Sequence, residues 1–387
     1  MPILNRAAEM LDEVSGWRRQ IHQTPELGYD VFETAKFVEG KLKEFGCDEV
    51  VNGLGRTGVV GIIKGKLGNG RTVGLRADMD ALPINEITGK PYASTIAGKM
   101  HACGHDGHTA MLLGGAKYLA ETRNFAGSVA VIFQPAEEGG GGGKAMVEDG
   151  MMERFGIEQV FGMHNLPGLP VGQFATRPGP IMAATAEFRI TIKGRGGHAA
   201  MPHTTIDPIV IGSQIVNALQ SIASRSTDPV ESVVVSVTKF HGGEAYNVIP
   251  EQVELAGTVR SLKQEVATLA HERMQAICEG IGQAGGAAVT LSYSPNYPVT
   301  FNHPQETVFA SDVAATIAGE AQIHRAMPPV MGGEDFSYML EARPGAFIFI
   351  GNGDTANLHH PAYDFNDEAI PHGVSYWVKL AEKALAA

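Results

Sequence analysis

The sequence has few cysteines and no excess of basic residues. Cys47, Cys103 and Cys278 are the only cysteines among 387 residues, and an odd number at wide spacing in a large chain argues against a disulfide framework. A formal net charge of -12 without any Lys/Arg cluster excludes the basic surface that phosphate backbones attract. We therefore expect reduced thiols and no nucleic-acid partner.

Long apolar runs are also missing. The first segment, MPILNRAAEMLDEV, mixes charged and apolar residues, unlike the unbroken apolar stretch of a signal peptide. No other segment is long and apolar enough to cross a bilayer. We expect a cytoplasmic protein with no membrane partner.

Glycine, by contrast, is abundant, and it bounds short apolar runs that predict buried strands. These runs are Gly58 to Ile63, Thr72 to Ala77, Ser128 to Phe133, Gln159 to Met163 and Ala346 to Ile350. Between the second and third runs, Asp106 to Glu121 has a helical apolar stripe, with Asp106 placed as its N-cap. Strands that alternate with helices predict an α/β fold with a mainly parallel sheet.

A different pattern occupies about Ala183 to Tyr293. Its elements follow the order βαββαβ, which is the ferredoxin-like pattern. The predicted elements are Ala186 to Lys193, Asp207 to Ala223, Val230 to Phe240, Gln252 to Ser261, Lys263 to Gly282 and Ala288 to Tyr293. We therefore predict an inserted α+β domain, residues 183–294, within a discontinuous domain made of residues 1–182 and 295–387.

The segment HACGHDGHTAML concentrates residues that can bind metals. Cys103 and His105 are two apart in a turn and can converge on one point, as metal ligands must. A small buried cysteine with helix-capping histidines is the plain structural alternative. Because Cys103, His105, Asp106 and His108 fall close together among glycines, we favour metal ligation, with His101 and His108 in supporting roles.

A second segment, FQPAEEGGGGG, places Glu137 and Glu138 directly after an apolar strand. In open α/β sheets the carboxyl ends of strands carry the ligands. Two sequestered carboxylates repel each other unless a cation compensates. We predict that one glutamate binds a metal and the other accepts a proton from metal-bound water; a solvated loop is the alternative.

Further polar residues follow other predicted strands. His164 ends one strand, and His359 or His360 follows another, so that several strands would deliver side chains to one sheet edge. Asp80 could orient a ligand histidine through its second ring nitrogen or could serve only as a cap. In the inserted domain, His198 and Asn247 lie in glycine-rich loops that could contact a substrate or could be turns.

Nine motifs in order resemble one family along essentially the whole chain. They are RRQIHQTPELG, GLRADMDALPI, HACGHDGHTAMLLG, FQPAEEG, MHN, GRGGHAAMPH, NVIP, GGEDF and LHHPAYDFND. The sequence is similar to the metallo-amidohydrolases that include hippurate hydrolases, bacterial N-acyl amino acid amidohydrolases and plant auxin-conjugate hydrolases. That group is a branch of the wider di-zinc aminoacylase and carboxypeptidase superfamily.

The resemblance implies a zinc-peptidase-like catalytic domain with a ferredoxin-like lid. It implies a metal-ligand set of Cys103, His105, Glu138, His164 and His359. Glu137 would be the general base. His198, from the lid of a partner subunit, and Asn247 would reach the substrate, which implies a homodimer or higher homo-oligomer. Where much of the superfamily has a ligand histidine in H-x-D, this chain has Asp78 before Asp80, so the role of Asp78 stays open, as does that of Glu334.

The expected activity is hydrolysis of the amide bond of small-molecule N-acyl amino acids by two divalent metal ions. The thiolate ligand disfavours magnesium and calcium and suits zinc, while the other ligands also suit manganese, cobalt or nickel. Three alternatives stay open. They are a dipeptidase or carboxypeptidase with the same metals, a metal-free cysteine hydrolase that uses Cys103 and His105, and a non-catalytic protein that binds acylated amino acids.

Overall fold

The computed structural model describes residues 3–387, which divide into two units. Among the described residues, unit 1 comprises 3–181, 300–328 and 335–387, and unit 2 comprises 182–299 and 329–334. Three chain segments therefore build unit 1. The short return of residues 329–334 into unit 2 had no signal in the sequence.

Unit 1 is an α/β structure. Its strands are β1 (Glu49–Leu54), β2 (Gly58–Lys64), β3 (Thr72–Asp78), β4 (Ser128–Gln134), β5 (Ile157–Leu166), β6 (Phe174–Ala175), β14 (Thr300–Asn302), β15 (Ile323–His324) and β16 (Gly345–Gly351). Its helices are α1 (Asn5–Glu9), α2 (Leu11–Gln23), α3 (Phe32–Glu44), α4 (His105–Thr122), α5 (Gly142–Glu148), α6 (Met151–Arg154), α9 (Pro304–Ala318), α10 (Ser337–Ala342) and α11 (Ile370–Ala384). Strand β7 (Gly179–Met182) pairs with β14.

The main sheet has the strand order β1-β2-β4-β3-β5-β16-β6-β15. Its four central strands, β4, β3, β5 and β16, are mutually parallel, whereas β1 and β2 pair antiparallel at one side and β6 runs antiparallel to β16. Consecutive residues of β2, β3 and β4 are buried, so both faces of the sheet are covered. The predicted mainly parallel sheet is confirmed, with an antiparallel margin that the apolar runs did not reveal.

Helix α4 begins at His105, one residue earlier than the sequence indicated. Its N-cap is Gly104, and the predicted cap by Asp106 is wrong, because no side chain caps this helix end. The Asp106 carboxylate instead contacts His22 and Arg18 of α2. Gly104 has a φ of 92°, and a Cβ there would lie 2.3 Å from Asn165 Nδ2, so the turn requires glycine.

Unit 2 contains a four-stranded antiparallel sheet with two long helices. In chain order its main elements are β8 (Ala184–Lys193), α7 (Pro208–Ser221), β10 (Val233–His241), β12 (Gln252–Ser261), α8 (Gln264–Gly285) and β13 (Ala288–Pro295), and the sheet order is β10-β12-β8-β13. The order βαββαβ is the one the sequence indicated. A separate apolar core, with Phe188, Ile190, Leu255 and Met274 among its members, holds this unit together.

A short pair of antiparallel strands in unit 2 joins the two loops that carry His198 and Asn247. Strand β9 (Gly197–His198) pairs antiparallel with β11 (Val248–Ile249), and His198 lies opposite Val248. Such two-residue strands have no periodicity that a sequence pattern could show.

Candidate metal centre

The four parallel strands deliver polar residues to one edge of the main sheet. Strand β3 ends at Asp78, and Glu137 and Glu138 follow the end of β4. His164 lies near the end of β5, and the loop after β16 carries His359. Because these strands are parallel neighbours, their carboxyl ends meet at one edge. The sequence prediction of convergence rested on this property.

The predicted ligands form overlapping groups whose ligand atoms lie within 4.8 Å of one another. The groups are Cys103 with His105 and His164, Cys103 with Glu138 and His359, and His105 with Glu137 and Glu138. The Cys103 Sγ is 3.4 Å from His164 Nε2. The Glu138 Oε1 is 3.2 Å from His359 Nε2 and 4.0 Å from His105 Nε2. All five predicted ligand residues and Glu137 are therefore together in unit 1.

Of the two adjacent histidines after β16, His359 is the one at this cluster. The backbone of His359 has a φ of 64°, and Ala136, just before the two glutamates, has a φ of 53°. Residues other than glycine rarely adopt this left-handed conformation, and such strain persists where surrounding contacts impose it. The His359 amide donates to the Ala102 carbonyl at 2.8 Å, which anchors the His359 segment beside Cys103.

Asp80 supports the cluster from behind. Its carboxylate accepts the backbone N–H groups of Glu137 at 2.9 Å and Glu138 at 3.1 Å, and its Oδ1 lies 3.5 Å from His105 Nδ1. It therefore holds the two glutamates and faces the ring nitrogen of His105 that points away from Glu138. Of the two roles that the sequence left open for Asp80, the geometry favours orientation of a ligand histidine.

Asp78 belongs to a buried network rather than to a solvent-exposed turn. Its Oδ2 accepts from Arg76 at 2.9 Å, its Oδ1 is 2.6 Å from His108 Nδ1, and its Oδ2 is 3.7 Å from His105 Nε2. Arg76 also donates to Asp335 at 3.0 Å and to Gln134 at 2.8 Å. A buried charge without such partners would cost several kcal/mol.

The carboxylates around the cluster favour positively charged groups and disfavour the negatively charged thiolate. Burial would lower the pKa of His105, but the carboxylates of Asp78, Asp80 and Glu138 outweigh it and raise that pKa to about 10. Burial, followed by the charges of Glu138 and Glu137, raises the pKa of the Cys103 thiol. Burial also holds the pKa of His164 well below its usual range. Protons therefore compete with metal ions for His105 and Cys103.

The residues fit a pair of divalent cations. His105 is fully buried; its Nδ1 lies 3.5 Å from Asp80 Oδ1, and its Nε2 makes no hydrogen bond within residues 3–387. The His164 Nδ1 donates to the Asn165 carbonyl at 2.7 Å, which leaves Nε2 facing Cys103. One thiol, three imidazoles and a carboxylate, with a second carboxylate beside them, match the ligands that zinc and its neighbours prefer.

His101 and Asp106, also metal-capable in the sequence, lie outside these groups. Asp106 is engaged by His22 at 2.8 Å and by Arg18 at 3.4 Å. His101 is buried, its ring lies 6.2 Å from that of His22, and burial lowers its pKa to about 3. Asp106 thus links the start of α4 to α2.

The two residues predicted to contact substrate are neighbours in unit 2. The Ala199 N–H donates to the Asn247 carbonyl at 3.0 Å, beside the pairing of β9 with β11. The His198 Nδ1 accepts from the Ala200 N–H at 3.1 Å, so in the neutral ring the proton is on Nε2. Both side chains are exposed.

Several supporting residues were missed by the sequence reasoning. Asn165 and Tyr363 lie within quoted motifs, directly after His164 and four residues after His359, but a polar residue beside a ligand carries no distinctive pattern. Arg76, Gln134 and Asp335 come from three distant parts of the chain, and only the fold brings them together.

The fold and this site define a class of metal-dependent hydrolase in which parallel strand ends deliver Cys, His and Glu to a dinuclear centre. The sequence profile of the peptidase family M20/M25/M40 matches residues 74–383. The hippurate hydrolase of Campylobacter jejuni is 44% identical over 385 residues, which is 99% of this chain and 100% of that protein. An N-acetylcysteine deacetylase of Bacillus subtilis is 40% identical over 94% of each chain.

A solved structure agrees with the sequence relatives. The crystal structure of a Bacillus subtilis protein, described as a dinuclear metal-binding peptidase of the M20 family, matches with a TM-score of 0.84 and 37% identity, over 98% of this chain and 99% of that chain. The chain belongs to the peptidase family M20/M25/M40, and the resemblance stated from its motifs is confirmed. It is a metal-dependent amidohydrolase. No helix among residues 3–387 is long and apolar enough to cross a membrane.

Proposed function

We propose that the protein hydrolyses the amide bond of N-acyl amino acids and releases a carboxylic acid and a free amino acid. One observation carries the proposal: the six residues that this chemistry needs, five ligands and a carboxylate base, come together at one sheet edge in unit 1. The names of the relatives, hippurate hydrolase and N-acetylcysteine deacetylase, support the same type of substrate.

Cys103, His105, Glu138, His164 and His359 hold two divalent cations in this proposal. Zinc or manganese suits the set best, and cobalt or nickel is also compatible, because one thiolate and three imidazoles are poor ligands for magnesium or calcium. When bound, the cations polarise the acyl carbonyl and lower the pKa of a water molecule towards neutrality. Asp80 and Asp78 orient the ligand residues.

Glu137 is the general base and then the general acid. Its carboxylate lies in the group formed with His105 and Glu138, and its backbone is held by Asp80. It takes the proton of the attacking water and returns it to the nitrogen of the leaving amine. Its near-complete burial limits competing proton exchange with bulk water.

Residues 183–294 act as a lid and dimerisation domain in this proposal, and His198 and Asn247 bind the substrate. Because His198 Nδ1 accepts from Ala200, its Nε2–H can donate a hydrogen bond to a developing oxyanion. Strand β10 lies at the edge of the unit 2 sheet and exposes Val234 and Phe240. An apolar edge strand supports association with a second copy of the chain, so that His198 is donated in trans.

We place the enzyme in the cytoplasm. All three cysteines are free, and ligation by Cys103 requires a reduced thiol. Reducing compartments maintain that state.

A substrate panel tests the proposal. Hippurate and N-acetyl amino acids are assayed beside unblocked dipeptides, for a dipeptidase, and longer peptides with a free C-terminus, for a carboxypeptidase. Each assay is repeated after chelation and after return of each candidate metal. We expect turnover of the N-acyl substrates that chelator abolishes and metal restores. Preference for unblocked dipeptides would favour the dipeptidase or carboxypeptidase alternative, and chelator-resistant turnover with an acyl adduct on Cys103 would favour the cysteine hydrolase.

Geometry already weighs against the cysteine hydrolase. The Cys103 thiol is buried among Glu137, Glu138 and Asp78, which together with burial raise its pKa. A nucleophilic cysteine needs the opposite, an electropositive surrounding that lowers the pKa.

A further inference from the structure

Asn165 contacts several of the segments that carry the ligands, although the proposed mechanism gives it no role. It is fully buried and follows His164 on β5. Its Nδ2 donates to the Cys103 carbonyl at 2.6 Å, and its Oδ1 accepts from the Tyr363 hydroxyl at 2.8 Å. A single amide group thus joins the Cys103 loop, the end of β5 and the loop that carries His359.

His108 supports Asn165 from the other side. The Asn165 backbone N–H donates to His108 Nε2 at 2.9 Å, and Asn165 Nδ2 lies 3.0 Å from the same atom. Because Nε2 accepts, the proton of the neutral ring is on Nδ1, which donates to Asp78 Oδ1 at 2.6 Å. Arg76 in turn fixes Asp78. Every polar atom of the Asn165 side chain is therefore engaged by a partner that is itself held in place.

The close approach of these segments depends on the same contacts. A Cβ on Gly104 would lie 2.3 Å from Asn165 Nδ2 and 2.5 Å from the Tyr363 hydroxyl. Only glycine between Cys103 and His105 leaves space for the asparagine amide. The turn that spaces two ligands and the amide that spans three segments form one packed unit.

We propose that Asn165 is a positioning residue that aligns the Cys103, His164 and His359 segments for metal binding. The inference rests on the proposed function, because it takes those three residues as ligands. Asn165 itself binds no metal; it lowers the cost of bringing the ligands together by holding their backbones before the metal arrives. Groups that orient ligands in this way typically change metal affinity about 10- to 100-fold when removed.

The test measures zinc affinity of the metal-stripped full-length protein by competition with a chromophoric chelator at fixed pH. Asn165→Asp keeps the shape but replaces the NH₂ donor with an oxygen that faces two acceptors, the Cys103 carbonyl and His108 Nε2. Tyr363→Phe keeps the ring and removes only the hydroxyl that donates to Asn165. We expect a loss of about 10-fold or more in zinc affinity for the first variant, and a smaller loss for the second.

Asn302→Ala is the matched control. Asn302 is as buried as Asn165, and its side chain is also fully bonded, to Thr176, Arg177 and both backbone groups of Phe347. Its partners carry none of the five ligands. We expect this variant to lower the melting temperature of the apo protein while its zinc affinity stays that of the wild type. If Asn165 had a purely structural role, its variants would likewise lose stability and keep their zinc affinity.

Two results would overturn the inference in different ways. If the wild type binds zinc and both Asn165→Asp and Tyr363→Phe bind it equally tightly, Asn165 does not position the ligands, and the proposed function stands. If the wild type itself binds no divalent cation, the proposed metal centre and the inference fail together.

Discussion

Glu137 and Glu138 are consecutive residues with different surroundings. Burial would raise the pKa of Glu138, but His359 and then His105 lower it below its ordinary value, so it stays ionised and available as a ligand. Glu137 lies in the group with His105 and Glu138, and its backbone N–H donates to Asp80.

Glu137→Gln should keep the metals and lose turnover. The amide preserves size and packing but cannot accept a proton from water, and general-base catalysis contributes about 10²- to 10⁴-fold to rates. We expect kcat to fall by about that factor while elemental analysis still finds the full metal content.

Glu138→Gln is the matched comparison for that variant. Both substitutions replace a carboxylate with an amide, but Glu138→Gln changes a metal ligand, so this variant should lose metal as well as activity. Substantial activity in Glu137→Gln would show that Glu137 is not the general base.

At the scale of elements, α2 holds the start of α4 through charge. Arg18 and His22 on α2 both contact Asp106, which directly follows His105 on α4. Burial would lower the pKa of His22, but Asp106 outweighs it, and with Glu86 it raises that pKa to about 9 although Arg18 opposes the rise. With that pKa the buried ring is an imidazolium at neutral pH; its Nδ1 lies 2.8 Å from Asp106 and its Nε2 lies 3.3 Å from Glu86.

This predicts a specific pH dependence of stability. A pKa that rises from 6.5 to about 9 on folding stabilises the folded state on the order of 3 kcal/mol. The sign follows from the direction: the contribution is complete below about pH 6.5 and is lost as pH rises through about 9. The destabilisation caused by His22→Gln should therefore shrink between pH 6.5 and pH 9.5, measured by urea unfolding of metal-stripped protein.

His372→Gln on α11 is the control. Burial lowers the pKa of His372 below 6.5, so between about pH 7.5 and pH 9.5 this ring is neutral in both the folded and the unfolded state. The effect of His372→Gln on the free energy of unfolding should not change across that interval. An equally constant effect of His22→Gln would mean that His22 is not charged in the folded protein.

At the scale of the whole molecule, the proposed donation of His198 by a partner subunit means that a complete active site needs two chains. If His198 is donated by a partner subunit, dimers mixed from Glu137→Gln and His198→Ala chains contain one competent site each. Random exchange of subunits makes half of the dimers mixed, so the mixture should recover about a quarter of wild-type activity. The measurement is activity after subunit exchange of two inactive variants.

A second mixture controls for nonspecific recovery. Glu137→Gln and His359→Ala both damage the ligand cluster of unit 1, so no combination of these chains restores a site. This mixture should stay inactive. If the first mixture also stays inactive, His198 does not act in trans.

The grouping of metal-capable residues at one sheet edge could be predicted largely from the sequence. Clusters such as HACGHD and AEE concentrate rare metal-capable residues beside glycines and strand ends, and parallel strands bring their carboxyl ends together whatever their order in the sheet. The predicted cap by Asp106 was wrong for an equally physical reason: a tertiary contact with His22 and Arg18 outweighs a local hydrogen bond to the helix end.

The sequence by itself determined the alternation of strands and helices, the inserted βαββαβ segment and the clusters of metal-capable residues, because these follow from local periodicity and side-chain chemistry. Only the tertiary structure decided the order of the strands and the partners of Asp78, Asp80 and Asn165. Those outcomes depend on contacts between residues far apart in the chain, and a contact of that kind leaves no periodic trace in either of the segments it joins.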